Sequence, residues 1–129
     1  MGLPWVRLDS DIANHDKIVR LLGQRDGYRA FTVYVCSLGW SGGQGKDGHV
    51  PSYILPRIYG LEKHARQLVD VGLWTYDENG DGWWIKNYDT RQELSVVSEA
   101  KRAASAMGGR KAACRRKHGP DCECWKVAP

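Results

Sequence analysis

The stretch that most constrains this chain runs from Gly60 to Tyr88, where a helix must hand over directly to a β-hairpin. Leu61, Ala65, Leu68 and Val69 fall at i, i+4, i+7 and i+8, the apolar stripe of an amphipathic helix, and Gly72 supplies its stop. Lys63, Arg66, Gln67 and Asp70 are left on the other side. Two β-like runs follow, Leu73–Asp77 and Trp83–Tyr88. Between them, Glu78-Asn79-Gly80-Asp81-Gly82 carries the Asn-Gly and Asp-Gly steps of a tight hairpin turn. A helix cannot continue through that turn, so a helix–hairpin unit is set and the rest must pack around it.

Upstream, Trp5-Val6-Arg7-Leu8-Asp9 alternates apolar and polar residues, the pattern of a short strand. Asn14 is placed to cap a helix that carries Ile18, Leu21 and Leu22 on one face and stops at Gly23. Asp26 is placed to cap the next one, where Phe31, Tyr34, Val35 and Leu38 fall at helical spacing. Thr32, Val33 and Val35 would also suit a strand, but Arg29–Trp40 is long for one and contains no turn signal. Four glycines in residues 41–48 make a loop, and Pro51 pushes His49 and Val50 toward extended geometry. A brief helix is expected around Ser52–Tyr59, burying Ile54, Leu55 and Ile58 and starting a turn late because of Pro56. Thr90-Arg91-Gln92-Glu93 reads as a capping box, opening a helix with a seam of Leu94, Val97, Ala100, Ala104 and Met107 that Gly108-Gly109 ends.

These elements predict a mainly α fold with a small β-hairpin, α+β in class. The expected arrangement is a winged helix-turn-helix over residues 1–89, with a short N-terminal strand and helix. A C-terminal helix over 90–107 and a basic Cys/His tail over 108–129 follow. With 42% apolar residues, six Trp and six Tyr, the chain can bury a real core. No run approaches the ~20 apolar residues that span a bilayer. The first seven residues lack the pattern of a secretion signal, so a cytoplasmic protein with reduced or metal-bound cysteines is expected.

Charge is unevenly spread. Residues 1–100 hold 11 Lys/Arg against 13 Asp/Glu, a net −2, whereas residues 101–129 hold 8 against 2, a net +6. A near-neutral body with a basic arm suits a polyanion, although a basic tail also serves solubility.

Trp5-Val6-Arg7-Leu8-Asp9, Asp47-Gly48-His49-Val50-Pro51, Leu68-Val69-Asp70-Val71-Gly72-Leu73-Trp74 and Trp84-Ile85-Lys86-Asn87-Tyr88 resemble a family of small actinobacteriophage and prophage proteins. That family is similar to the N-terminal winged-helix domains of phage replisome organisers and replication initiators. The resemblance covers about residues 5–105 and implies replication initiation or early transcriptional control. It speaks to fold more firmly than to task.

In a helix-turn-helix the N-terminal residues of the second helix meet base edges, which nominates Lys63, His64, Arg66 and Gln67. A solvated face with an ordinary charge mix is the alternative. The wing tip carries Asp77, Glu78 and Asp81, which would repel phosphates and would suit a protein partner better. Trp74, Tyr76, Trp83 and Trp84 cannot all be buried on a two-stranded wing, so at least one ring should be partly exposed. Lys101, Arg102, Arg110, Lys111, Arg115, Arg116 and Lys117 have no acid among them after Glu99 and would bind DNA backbone without reading sequence.

Cys114, His118, Cys122 and Cys124 could close a tetrahedral zinc site, or remain thiols in a loose tail, or pair Cys114 with Cys122 outside the cell. Cys36 reads as packed core. No phosphate-binding loop or nucleophile–base pair is evident, so no enzyme is expected. The expected partner is double-stranded DNA. The rival is a non-catalytic module binding a host or replisome protein through the acidic wing and exposed aromatics. A homodimer joined through the 90–107 seam is compatible with either.

Overall fold

Ala30, Val33, Tyr34, Ser37, Leu38 and Ser41 recur at helical spacing, and in the computed structural model of the chain they form the buried face of a helix over Gly27–Gly43. The structure describes residues 2–92 and 94–119, with the backbone alone for Ser95, Ser98 and His118. It is mainly helical, with a small three-stranded antiparallel sheet, and so α+β. Two compact units divide at Ser95 and Val96.

In the first unit, a 3-10 turn at Ile12–Asn14 precedes α1 (Asp16–Leu22), and α2 is Gly27–Gly43. Strand β1 (His49–Val50), a 3-10 helix (Ser52–Ile58), α3 (Glu62–Asp70), β2 (Trp74–Tyr76), β3 (Trp83–Ile85) and α4 (Tyr88–Arg91) follow. The strand order is β1-β3-β2, with β3 central. His49 faces Trp84 and Val50 faces Trp83 across one edge; Trp74 faces Ile85 and Tyr76 faces Trp83 across the other. Side chains alternate along a strand, so Trp74, Trp83 and Ile85 share one face and His49, Thr75 and Trp84 the other. The first face closes over α2 and α3 in a single core with Leu21, Val33, Leu38, Val50, Leu68 and Tyr88.

The hairpin, the stops at Gly23 and Gly72, the helical reading of 29–40 and the burial of Ile54, Leu55 and Ile58 hold. Several local expectations do not. Residues 5–9 form no strand; instead the Gln92 side chain takes a strand partner's place, accepting the Arg7 N–H at 2.7 Å and donating to the Arg7 carbonyl at 2.7 Å. Asn14 caps nothing and donates to Asp11 Oδ1 at 2.9 Å. Helix α2 runs on through Gly42-Gly43 before the loop begins. The segment with Pro56 is 3-10 throughout, a geometry that short runs adopt readily.

The C-terminal helix differs most. Thr90 lies inside α4 and its hydroxyl donates to the Asn87 carbonyl at 2.9 Å, so it does not cap; Glu93 lies outside the described residues. The second unit's helix, α5, is Ser95–His118 and passes straight through Gly108-Gly109. Glycine ends a helix by turning left-handed, and neither of these two does. Gly119 does, at φ +93°, with its N–H on the Arg115 carbonyl at 2.9 Å. No helix among the described residues is long and apolar enough to cross a membrane.

Candidate nucleic-acid interface

Helix α3 begins at Glu62, one residue later than the amphipathic stripe suggests. Leu61 becomes the residue before the first turn and is half exposed, while His64 takes a core position with no accessible surface. His64 Nδ1 accepts the Leu61 N–H at 2.9 Å. The neutral ring therefore carries its proton on Nε2, which donates to Asp26 Oδ2 at 2.8 Å. His64, expected to reach DNA, is instead an internal fastener between α3 and the start of α2. Gln67 is half-buried, and its amide donates to the Arg25 carbonyl at 2.8 Å and to Gln24 Oε1 at 3.3 Å. Lys63 is exposed and bridges to Asp26 at 3.1 Å. Arg66 is exposed with no ion pair among the described residues.

The Asp26 carboxyl is held below the ordinary value of 3.8, first by the hydrogen bond from His64 and then by Lys63. A depressed carboxyl stabilises the fold above its unfolded-state value, and that contribution fades as pH falls through the folded one. Asp26→Asn retains a residue tolerant of the left-handed backbone found there, φ +62°. Its melting temperature should fall below that of the native chain at neutral pH, with the gap narrowing below about pH 4. A gap that stays constant into acid would show that the carboxylate's charge does not contribute.

Around this fastener the surface turns aromatic and cationic. Tyr28 is 78% exposed at the start of α2 and Tyr59 66% exposed in the turn before α3. Tyr53 and Pro56 lie three residues apart along one exposed edge of the 3-10 helix, and Tyr59 follows its end in a left-handed turn, φ +66°. Arg25, Arg29, Arg57, Lys63 and Arg66 are all exposed. Arg29 Nε donates to the Tyr59 carbonyl at 3.4 Å, which ties the α2 start to that turn. Apart from Lys63 and Arg66, sequence reasoning missed this corner. Its signal is the interleaving of cation and ring in Arg25-x-x-Tyr28-Arg29 and Arg57-x-Tyr59.

Two of the three wing carboxylates have partners within the fold. His49 Nε2 reaches Asp77 Oδ2 at 3.2 Å and the Asp81 carbonyl at 3.1 Å, and the Ser52 hydroxyl donates to the Asp81 carboxylate. Glu78 remains exposed. Trp74 and Trp83 are buried with ring centres 5.4 Å apart, whereas Tyr76 is exposed and Trp84 is 41% exposed against His49 at 4.7 Å. At least one wing aromatic was expected at the surface, and two are there.

On α5, Lys101, Arg102, Arg115, Arg116 and Lys117 are exposed, with Arg110 and Lys111 half-buried. At 100° per residue these seven positions spread around the whole helix and form no single stripe. Val97 and Met107 of the expected seam are also exposed. Cys114 is buried on α5, one turn before His118. Cys122, Cys124 and the His118 side chain lie outside the described residues, among which no three metal-ligating side chains converge. Comparison of the chain with protein-family models, with curated proteins and with solved structures finds no match in any of the three.

Proposed function

We propose that this chain is a winged helix-turn-helix DNA-binding protein of phage type, acting in replication initiation or early transcriptional control. In this reading the 3-10 helix at 52–58 and α3 are the helix-turn-helix, β2 and β3 the wing, and β1 the third strand that closes it. The observation that carries it is the exposed Tyr59 turn leading into α3, which Arg29 of α2 reaches at 3.4 Å, with Arg25, Tyr28 and Arg57 exposed on the adjoining segments. Guanidinium groups bind phosphate and guanine, and tyrosine rings pack on sugars and bases. Arg66, one turn into α3, is the base reader, with Lys63 beside it. Arg29 and Arg57 hold phosphates, and the cations of α5 add backbone affinity.

The test is binding of the full chain to duplexes enriched from a random pool, at two salt concentrations. Arg66→Ala should lose about 1–3 kcal/mol on the preferred duplex and discriminate less against others. Arg57→Ala should weaken all duplexes alike and lower the salt slope by about 1. If no sequence is enriched and Arg66→Ala binds as the native chain does, α3 reads no bases.

A second reading is favoured by the open wing face, where Trp84 stacks on His49 beside the acidic turn. An exposed ring rimmed by carboxylates suits a protein partner, and it predicts DNA binding without sequence preference.

A further inference from the structure

The first unit contains a pocket of about 470 Å³ on the side formed by the N-terminal segment, α1 and the chain that follows β3. Its floor is apolar, built from buried Ile18, Leu38, Leu73 and Ile85 together with the rings of Tyr34 and Tyr88. Its mouth is cationic. Arg7, Lys17, Lys86 and Arg91 all line it, and the one carboxylate there, Asp9, sits 3.7 Å from Arg91. The Gln92–Arg7 clasp fixes one wall, joining segments 85 residues apart, and Lys17 Nζ donates to the Gly72 carbonyl at 3.0 Å on another.

Four cations around an apolar hole, against one acid, make an unbalanced arrangement. Their crowding shows at Lys17, whose ammonium is held below its ordinary range by burial and then by Lys86, Arg91 and Arg20. His15, Tyr34, Asn87, Tyr88 and Gln92 add polar groups to the lining. The volume falls within the roughly 300–1,000 Å³ typical of small-ligand sites.

We infer that this pocket binds a small organic anion, with an apolar ring system against Leu38 and Ile85 and one carboxylate, sulfonate or phosphate among Arg7, Lys17 and Lys86. The anion would neutralise like charges that now face one another, while its body would displace water from the apolar floor. This site lies apart from the tyrosine–arginine corner and does not rest on the DNA-binding reading. Lys17 and Leu73 nevertheless bring it to the joint between α3 and the hairpin, so an occupied pocket would brace that joint.

The test uses anilinonaphthalene sulfonate and the uncharged phenylnaphthylamine of the same skeleton, titrated into the full chain by fluorescence. The sulfonate should bind at one site and at least about fivefold more tightly than the neutral probe. Arg7→Gln/Lys86→Gln alters two exposed mouth residues whose side chains make no ion pair among the described residues. It should weaken the sulfonate about tenfold, leave the neutral probe unchanged and melt as the native chain does. Arg115→Gln/Arg116→Gln on α5 should change neither. Equal affinity for the two probes, an unaffected sulfonate in Arg7→Gln/Lys86→Gln, or a loss in the α5 variant instead would each overturn the assignment. Duplex-DNA binding of the same variants separates this failure from that of the proposed function.

Discussion

Trp74→Ala is expected to cost the first unit about 3–5 kcal/mol, the largest loss from a single side chain here. Trp74 is essentially inaccessible, packs on Trp83 and opens the strand that receives the chain from α3. Removing it leaves a cavity that only backbone movement could close, because Ile85 faces it across the sheet and Leu68 belongs to the same core. A unit of this size has a total stability of roughly 5–15 kcal/mol, so the variant would be marginal. In urea the midpoint should drop by about a third or more while the slope holds. Trp74→Phe should cost much less, since the buried indole N–H has no hydrogen-bond acceptor among the described residues. If Trp74→Ala unfolds within about 1 kcal/mol of the native chain, the sheet does not close the core.

Gly82→Ala is expected to be nearly as damaging for a different reason. Gly82 lies at φ +102°, and a Cβ there would stand 2.1 Å from the Val50 carbonyl oxygen and 2.8 Å from Pro51 Cα. The neighbour is backbone, so no rotamer change can relieve the contact. Backbone strain alone would amount to about 1–3 kcal/mol. The larger effect is geometric, because the hairpin must lift from β1, carrying His49, Asp77 and Trp84 apart. Amide exchange reads this directly. The Ile85 N–H, which donates to the Gly48 carbonyl at 2.8 Å, and the Asp77 N–H, which donates to the Gly82 carbonyl at 3.0 Å, should both lose protection. Unchanged protection at Ile85 would show that β1 and β3 remain paired and that the close approach is not needed. Loss of DNA binding alongside would connect the wing's position to function.

These two positions divide what a reader of the sequence could see. The hairpin was legible because Asn79-Gly80 and Asp81-Gly82 are local turn chemistry between two β-rich runs. That Gly82 also makes room for Val50 was not, since that contact depends on how β1 docks. The DNA-facing nominations fared likewise. Arg66 is exposed as its helical position implies, but His64, three residues after Leu61 and four before Leu68, lies on the buried stripe, with Gln67 half-buried. Both are held by groups from the preceding helix region, Asp26, Arg25 and Gln24. The tyrosine–arginine corner went unseen because its pieces are about thirty residues apart and only the α2–α3 packing joins them.

Local pattern was enough for the helical state of α2, though not its buried face, in which Ala30, Val33, Ser37 and Ser41 take the place of Phe31 and Val35; it was enough too for the buried triple Ile54, Leu55 and Ile58, the α3–hairpin step and the concentration of cations after residue 100. Each follows from side-chain period or turn preference, properties that a few neighbouring residues settle. Only the tertiary structure decided that Asp26 clasps His64 across 38 residues, that Gln92 stands in for a strand beside Arg7 across 85, and that four scattered cations ring one apolar pocket. Those contacts depend on where distant segments come to rest. A buried polar group takes whichever partner the packing provides, and no local pattern names that partner in advance.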